Sequence, residues 1–341
     1  MSYEIKRYEI PIPDKLIISI YEMWQKVPEE FGIAQDIDQL RGQLSHRVRT
    51  EDRKLLYVAY VDGEIAGTSM IWISGRDPLL CEFGLPATSQ EHRRKGIGRD
   101  LFSRPVDDFR AMGGEAIFLG TNQVPAERVY RRTGYSKLTG SIAQMQILNG
   151  ESPEAYLVDY FRGLGPADIY EGEPNDRTSA VPLLHSPHDW QIMDCNVEMF
   201  SRRYFTHHSF AGRAGSYIAL LDNSNGTFFS ARAGDRDKVV GLSTALLIGN
   251  GVCAVDAFTH RYYQDVWEDL IQASIIWGKN QGNNIFQVTL SIEDYEKIQL
   301  FKTLGFIEVG KGRTFFMDGF LLGDCPQGKH VESLIMEKGI K

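Results

Sequence analysis

The sequence predicts a mixed α/β fold made of two tandem copies of one unit, each a mixed, mostly antiparallel sheet flanked by helices. Three observations predict it. The chain has 341 residues, beyond the size at which one hydrophobic core usually stops growing, so two domains of ordinary size are expected. Two segments repeat one order of features at a nearly constant offset, which is how internal repeats show themselves. Within each segment, alternating β-branched runs lead into a helix and then a further strand, the step of a βαβ crossover.

In chain order, LLYVAYVDGEIAGTSMIWIS reads as two strands around the Asp62-Gly63 turn, and AGDRDKVVGLSTALLIGNGVCAVDAF reads the same way, setting Gly67 against Gly241 at an offset of 174. A strand over Leu80 to Thr88 follows in the first copy. The helix GRDLFSRPVDDFRAMG stands opposite WEDLIQASIIWGKNQG, with Asp100-Leu101 matching Asp269-Leu270 at an offset of 169. Pro105 is expected to kink the first of these helices, because its ring lacks an N–H and crowds the preceding turn. The strands AIFLGT and IFQVTL come next, then short helices ending in YRRTGY and FKTLGF at an offset of 171. Small loop insertions produce such drift. Residues 149–180, rich in Gly, Pro, Asp and Glu with weak periodicity, read as a linker whose first part, PEAYLVDYFRGL, could be a helix. The domains are therefore expected at 1–148 and 181–341.

Composition is that of a folded globular protein, 43% hydrophobic and 24% charged. No run approaches the roughly eighteen apolar residues of a spanning helix, and the N-terminus mixes charges where a signal peptide needs an apolar run, so a cytoplasmic protein without membrane contact is expected. Cys81, Cys195, Cys253 and Cys325 form no CxxC pair and have no His at ligand spacing, which predicts reduced structural thiols and no metal. The His207-His208 pair and the nearby Tyr204, Phe205 and Phe210 read as packing rather than a metal site. A formal charge of −8 disfavours a nucleic-acid partner and favours a cationic substrate such as an amine.

The sharpest local signal is Arg93-Arg94-Lys95-Gly96-Ile97-Gly98-Arg99, between the Leu80 to Thr88 strand and a helix. Glycines there let backbone approach a ligand closely, and the free N–H groups and positive end of the helix dipole make an anion site amid four basic side chains. A pyrophosphate fits that chemistry. A dinucleotide fingerprint is excluded because Leu101 stands where its third Gly belongs, and a P-loop because Gly-Lys-Ser/Thr is absent.

Arg93-x-x-Gly96-x-Gly98 resembles the acetyl-CoA signature, Q/R-x-x-G-x-G/A, of the GNAT superfamily of N-acetyltransferases. TNQVPAERVYRRTGY is similar to the family's second signature, with Tyr135 replacing its Phe. The resemblance covers about residues 1–147 with both motifs and about 180–320 by pattern only; the tandem arrangement is itself similar to a minority of the superfamily. It implies acetyl-CoA as co-substrate, bound at its pyrophosphate by backbone N–H groups from Arg94 to Arg99, Lys95 and Ile97 among them. It further implies that the strand near Pro86, Ala87 and Thr88 splays to pair with the pantetheine arm, and that Tyr130 is the general acid for the thiolate. Glu82 lies on the strand entering the turn, where the resemblance implies the carboxylate that in some members deprotonates the amine, and Asp36, Asp38 or a His remain alternatives. Asn122 and Gln123 both sit where a CoA-contacting Asn is usual, the family's spacing falling on Gln123.

The second copy places Tyr262, Asp265 and Trp267 opposite Arg93, Gly96 and Gly98, and Phe301 opposite Tyr130. A carboxylate repels pyrophosphate, Trp blocks backbone approach and Phe has no hydroxyl, so this copy is expected not to acetylate. Function is thus expected to be acetylation of a primary amine on a small cationic metabolite by a monomer. Tandem members with a degenerate second half resemble antibiotic self-resistance enzymes of the zwittermicin and paenilamicin kind. A mycothiol-synthase-like enzyme, or a CoA-binding sensor without turnover, are the alternatives.

Overall fold

The computed structural model describes residues 2–27, 36–45, 52–121, 123–138, 141–150, 152–201, 210–317 and 329–340. The chain divides into two compact units, Met1–Ser136 with Gln144–Glu151, and Lys137–Ala143 with Ser152–Lys341.

The first unit runs β1 (Glu4–Glu9), α1 (Asp14–Trp24), α2 (Ile37–Leu44), β2 (Arg53–Val61), β3 (Glu64–Ile73), β4 (Leu80–Thr88), α3 (Ile97–Ala111), β5 (Ala116–Gly120), α4 (Val124–Arg132), β6 (Ser136–Lys137) and β7 (Ala143–Ile147). Strand order in the sheet is β1-β2-β3-β4-β5-β7-β6. Alternation along β2 explains why both faces are covered. Leu55, Tyr57 and Ala59 pack with Ile97, Leu101 and Phe109 of α3 on one face, while Leu56 and Val58 pack with Ile20, Trp24 and Leu40 of α1 and α2 on the other. The β2–β3 hairpin closes through Asp62 and Gly63, both at positive φ (50° and 86°), the conformation that matches hairpin twist.

α3 continues through the buried Pro105, from Ile97 to Ala111. The reason lies in the sheet: the carbonyl Pro105 cannot satisfy is that of Leu101, and the buried Ser69 hydroxyl donates to it at 2.6 Å.

The second unit runs α5 (Pro153–Tyr160), β8 (Ala167–Glu171), α6 (Asp176–Ser179), α7 (Val181–His185), β9 (Ile192–Asp194), β10 (Met199–Phe200), α8 (Phe210–Asp222), β11 (Gly226–Ala233), β12 (Lys238–Gly249), β13 (Val252–Thr259), α9 (Trp267–Asn280), β14 (Ile285–Ser291), α10 (Tyr295–Thr303), β15 (Ile307–Lys311), β16 (Phe315–Met317), β17 (Lys329–Val331) and β18 (Ser333–Gly339). Its large sheet, read from β8, is β8-β11-β12-β13-β14-β18-β15, the strand order of the first sheet. Each sheet has its parallel step at the same place, β4 with β5 and β13 with β14.

Side chains repeat as well. Gly67 faces Thr88 across β3 and β4, and Gly241 faces Thr259 across β12 and β13. A methyl on Gly67 would sit 2.8 Å from Leu101, and one on Gly241 2.8 Å from Leu270, so each glycine seats its helix against the sheet. Ser243 donates to the Leu270 carbonyl at 3.0 Å, as Ser69 does to Leu101. The stretch 149–180, read as a linker, instead holds α5, the edge strand β8 and α6, and β8 pairs with β11 over five residues.

Candidate functional site

The first unit encloses a pocket of about 510 Å³ at the end of β4, between α3 and α4. Its opening follows from how β4 leaves its neighbours. β4 pairs with β5 only from Leu80 to Glu82, and its register with β3 slips by one between Thr68 and Met70, where Leu85 adopts φ 52°. That bulge turns the strand away from β5. Pro86, Ala87 and Thr88 then line one wall.

The N-terminus of α3 faces the same pocket. Gly96 starts the helix at φ 88°, left-handed backbone that favours glycine, and supplies no capping side chain. The first-turn N–H groups are therefore presented outward with the positive end of the helix dipole. Gly98 is different. A methyl there would meet only Thr88 Oγ1 at 3.5 Å, ordinary contact, so packing within the protein does not demand a glycine. Arg93, Arg94 and Arg99 add positive charge to the lining. Arg93 also braces the site by donating from Nε to the Thr88 carbonyl at 3.2 Å. Arg99 pairs with Asp100 at 3.0 Å, whose carboxyl is held below its usual range chiefly by the Tyr3 hydroxyl and also by Arg99.

Tyr130 reaches the pocket from α4 and is 5% exposed. Phe102 at 5.1 Å and Phe83 at 6.1 Å meet its ring edge-on and fix it. Burial raises the phenol above its ordinary value, so the proton stays on at any physiological pH.

The other sequence candidates fall elsewhere. Lys95 is exposed and outside the lining, and the Ile97 side chain is fully buried in the core, leaving only its backbone for a ligand. Gln123 precedes α4 and accepts the Glu127 N–H at 2.9 Å, away from the pocket wall. Asn122 lies outside the described residues, as do Cys325 and the His207-His208 pair with Tyr204 and Phe205. Glu82 is 4% exposed and alternates with Cys81 and Phe83, which face Tyr130's side of the sheet, so its side chain is on the opposite face and does not line the pocket. Asp36 caps α2 by accepting the Asp38 N–H at 2.9 Å, and Asp38 pairs with Arg41. Neither lines the pocket.

The reading of the sequence missed Ala126, Val129 and Thr133, which line the pocket beside Tyr130. Their spacing places all four on one face of α4, a signal present in the sequence. Arg132 was missed too and carries a further positive charge into the lining.

In the second unit the chain itself packs against the corresponding strand and helix, β13 and α10. Between α7 and α8 an insertion carries β9, whose neighbour Gln191 donates its N–H to Asp294 at 2.6 Å. Lys297 donates to the Met193 carbonyl at 2.7 Å and to the Asp256 carboxylate at 2.5 Å. The Trp190 ring lies 4.5 Å from that of Trp267, the residue standing where Gly98 stands. Here β12 and β13 run without the slip, Leu242, Ser243 and Thr244 facing Phe258, Ala257 and Asp256 in turn. Phe301, opposite Tyr130, is fully buried against Phe306.

Residues 17–135 match the family model for the acetyltransferase (GNAT) family. No curated protein matches the chain. Among solved structures, spermidine/spermine N-acetyltransferase SpeG from Vibrio cholerae is 13% identical over 51% of this chain and 94% of its own, with a TM-score of 0.38. An acetyltransferase of the GNAT family from Streptococcus pneumoniae is 17% identical over 51% and 99%, TM-score 0.35. Ribosomal-protein-S5-alanine acetyltransferase from Vibrio fischeri is 12% identical over 51% and 92%, TM-score 0.36. Among the described residues no helix is long and apolar enough to cross a membrane, and no cluster of three or more His, Cys, Asp or Glu could hold a metal.

Proposed function

We propose, on the premise that residues 17–135 carry a GNAT-family acetyltransferase unit, that this protein moves an acetyl group from acetyl-CoA to a primary amine of a small cationic molecule. One observation carries the reading: an uncapped helix N-terminus, a glycine that internal packing does not demand and a protonated tyrosine share one pocket. Such a site suits a pyrophosphate at one end and a leaving thiolate at the other.

The co-substrate supplies the acetyl group as a thioester. First-turn N–H groups of α3, with Arg93 and Arg94, hold its phosphates. The free strand edge of Pro86 to Thr88 aligns the thioester arm, and Ala126 and Val129 supply apolar wall. The amine attacks the carbonyl carbon, the carbon–sulfur bond breaks, Tyr130 gives its proton to sulfur, and the amine's extra proton passes to water, from which Tyr130 is reprotonated. Products are the N-acetyl amide and free thiol, so the balance closes. The chain's formal charge of −8 favours a cationic acceptor, and peptide-like antibiotics with free amino groups are the class we would screen first.

A CoA-binding sensor is the competing reading, and a positioned Tyr130 favours turnover over it. Thiol release from acetyl-CoA in the presence of polyamines and amine-bearing antibiotics separates the two. Release that depends on the amine supports transfer; binding of acetyl-CoA with no release for any amine tested supports the sensor.

A further inference from the structure

The second unit has a cavity of its own, about 400 Å³, formed by α5, the Ser186–Trp190 segment and the turn at Arg261. That size suits a small molecule. Its floor is aromatic and fixed: Trp190 is 4% exposed, lies 5.7 Å from the stacked His188 ring and donates its indole N–H to Glu296 at 3.0 Å. His260 stacks on Phe161 at 4.1 Å and accepts the Tyr262 N–H at Nδ1. Burial, then His188 and Arg261 nearby, bring His260 down to about 3, so it adds no charge. Leu157 and Pro187 complete an apolar surface.

Glu154 on α5, Asp189 and Arg261 line the same cavity at exposed positions, the Arg261 guanidinium 5.6 Å over the Tyr262 ring. An aromatic floor with two carboxylates against one guanidinium in its lining favours an organic cation over a neutral molecule of equal shape.

We propose that this cavity binds a small organic ammonium, its apolar body on Trp190 and Leu157 and its charge toward Glu154 and Asp189. The site is separate from the acetyl-transfer pocket, and the proposal does not depend on acetyl transfer.

The test is a tryptophan-fluorescence titration of the full chain with phenethylammonium and with 2-phenylethanol, its neutral near-isostere. Saturable binding of the cation, at least tenfold tighter than the alcohol, is expected. Glu154→Gln combined with Asp189→Asn, both at exposed positions, should weaken the cation at least tenfold and leave acetyl-CoA titration unchanged. Equal affinity for the two probes, unchanged affinity in the double variant, or no saturation by the cation in a protein that still titrates acetyl-CoA would each overturn the proposal.

Discussion

Two glycines two residues apart separate conformation from recognition. Gly96 is needed by the backbone at φ 88°, so Gly96→Ala is expected to cost about 1–2 kcal/mol in a denaturant titration. Gly98 is spared that constraint and has room for a methyl; Gly98→Ala should leave stability within about 1 kcal/mol while weakening acetyl-CoA at least tenfold by calorimetry. Unchanged affinity would remove the phosphate cradle from the account. For Tyr130, loss of the hydroxyl in Tyr130→Phe should lower kcat by roughly 10²-fold, the scale of one general acid, with acetyl-CoA affinity kept. Because burial raises its pKa, the protonated and active form persists as pH rises past the ordinary tyrosine value of about 10. A pH–rate profile that falls at that ordinary value would assign the proton to another group.

Helices and strands here depend on single side chains that the neighbouring element supplies. Ser69→Ala would strip the Leu101 carbonyl of the donor that compensates Pro105, an expected loss of about 1–3 kcal/mol in chemical unfolding; a neutral effect would mean the carbonyl finds another donor. In the second unit, β9 is held against buried acids. Asp194 is raised to about 7, first by burial and then by Asp256, with Lys297 and the Thr244 hydroxyl pulling the other way. Its folded-state value lies above the unfolded one, so its contribution to stability is full below about pH 4 and is lost as pH rises through about 7. Asp194→Asn, neutral at every pH, should therefore raise Tm by a few degrees at pH 8 relative to the parent and by less at pH 4. A larger gain at pH 4 would reverse the sign of this assignment.

Taken over the whole chain, the duplicated pattern was legible because it resides in local signals: turn residues, strand alternation, and the Gly67 and Gly241 positions where helix meets sheet. The turn that opens α3 was legible for the same reason, as Gly96 and Gly98 are neighbours in sequence. What escaped was set by distant contacts. The rescue of Pro105 needs Ser69 from another strand, Glu82 is turned to the far face by alternation on β4, and β8 joins its sheet only through β11, after a stretch whose composition suggests a linker. The β9 insertion is the clearest case: its place is fixed by Asp256, Asp294 and Lys297, about sixty to a hundred residues downstream.

That insertion, with Trp267 where Gly98 stands, leads us to propose that the first unit alone takes acetyl-CoA. Calorimetric titration of acetyl-CoA into the parent chain and into Gly98→Trp tests it most directly. One site per chain in the parent and none in the variant is expected, with both proteins folded by circular dichroism; two sites, or binding that survives in Gly98→Trp, would contradict a single working unit.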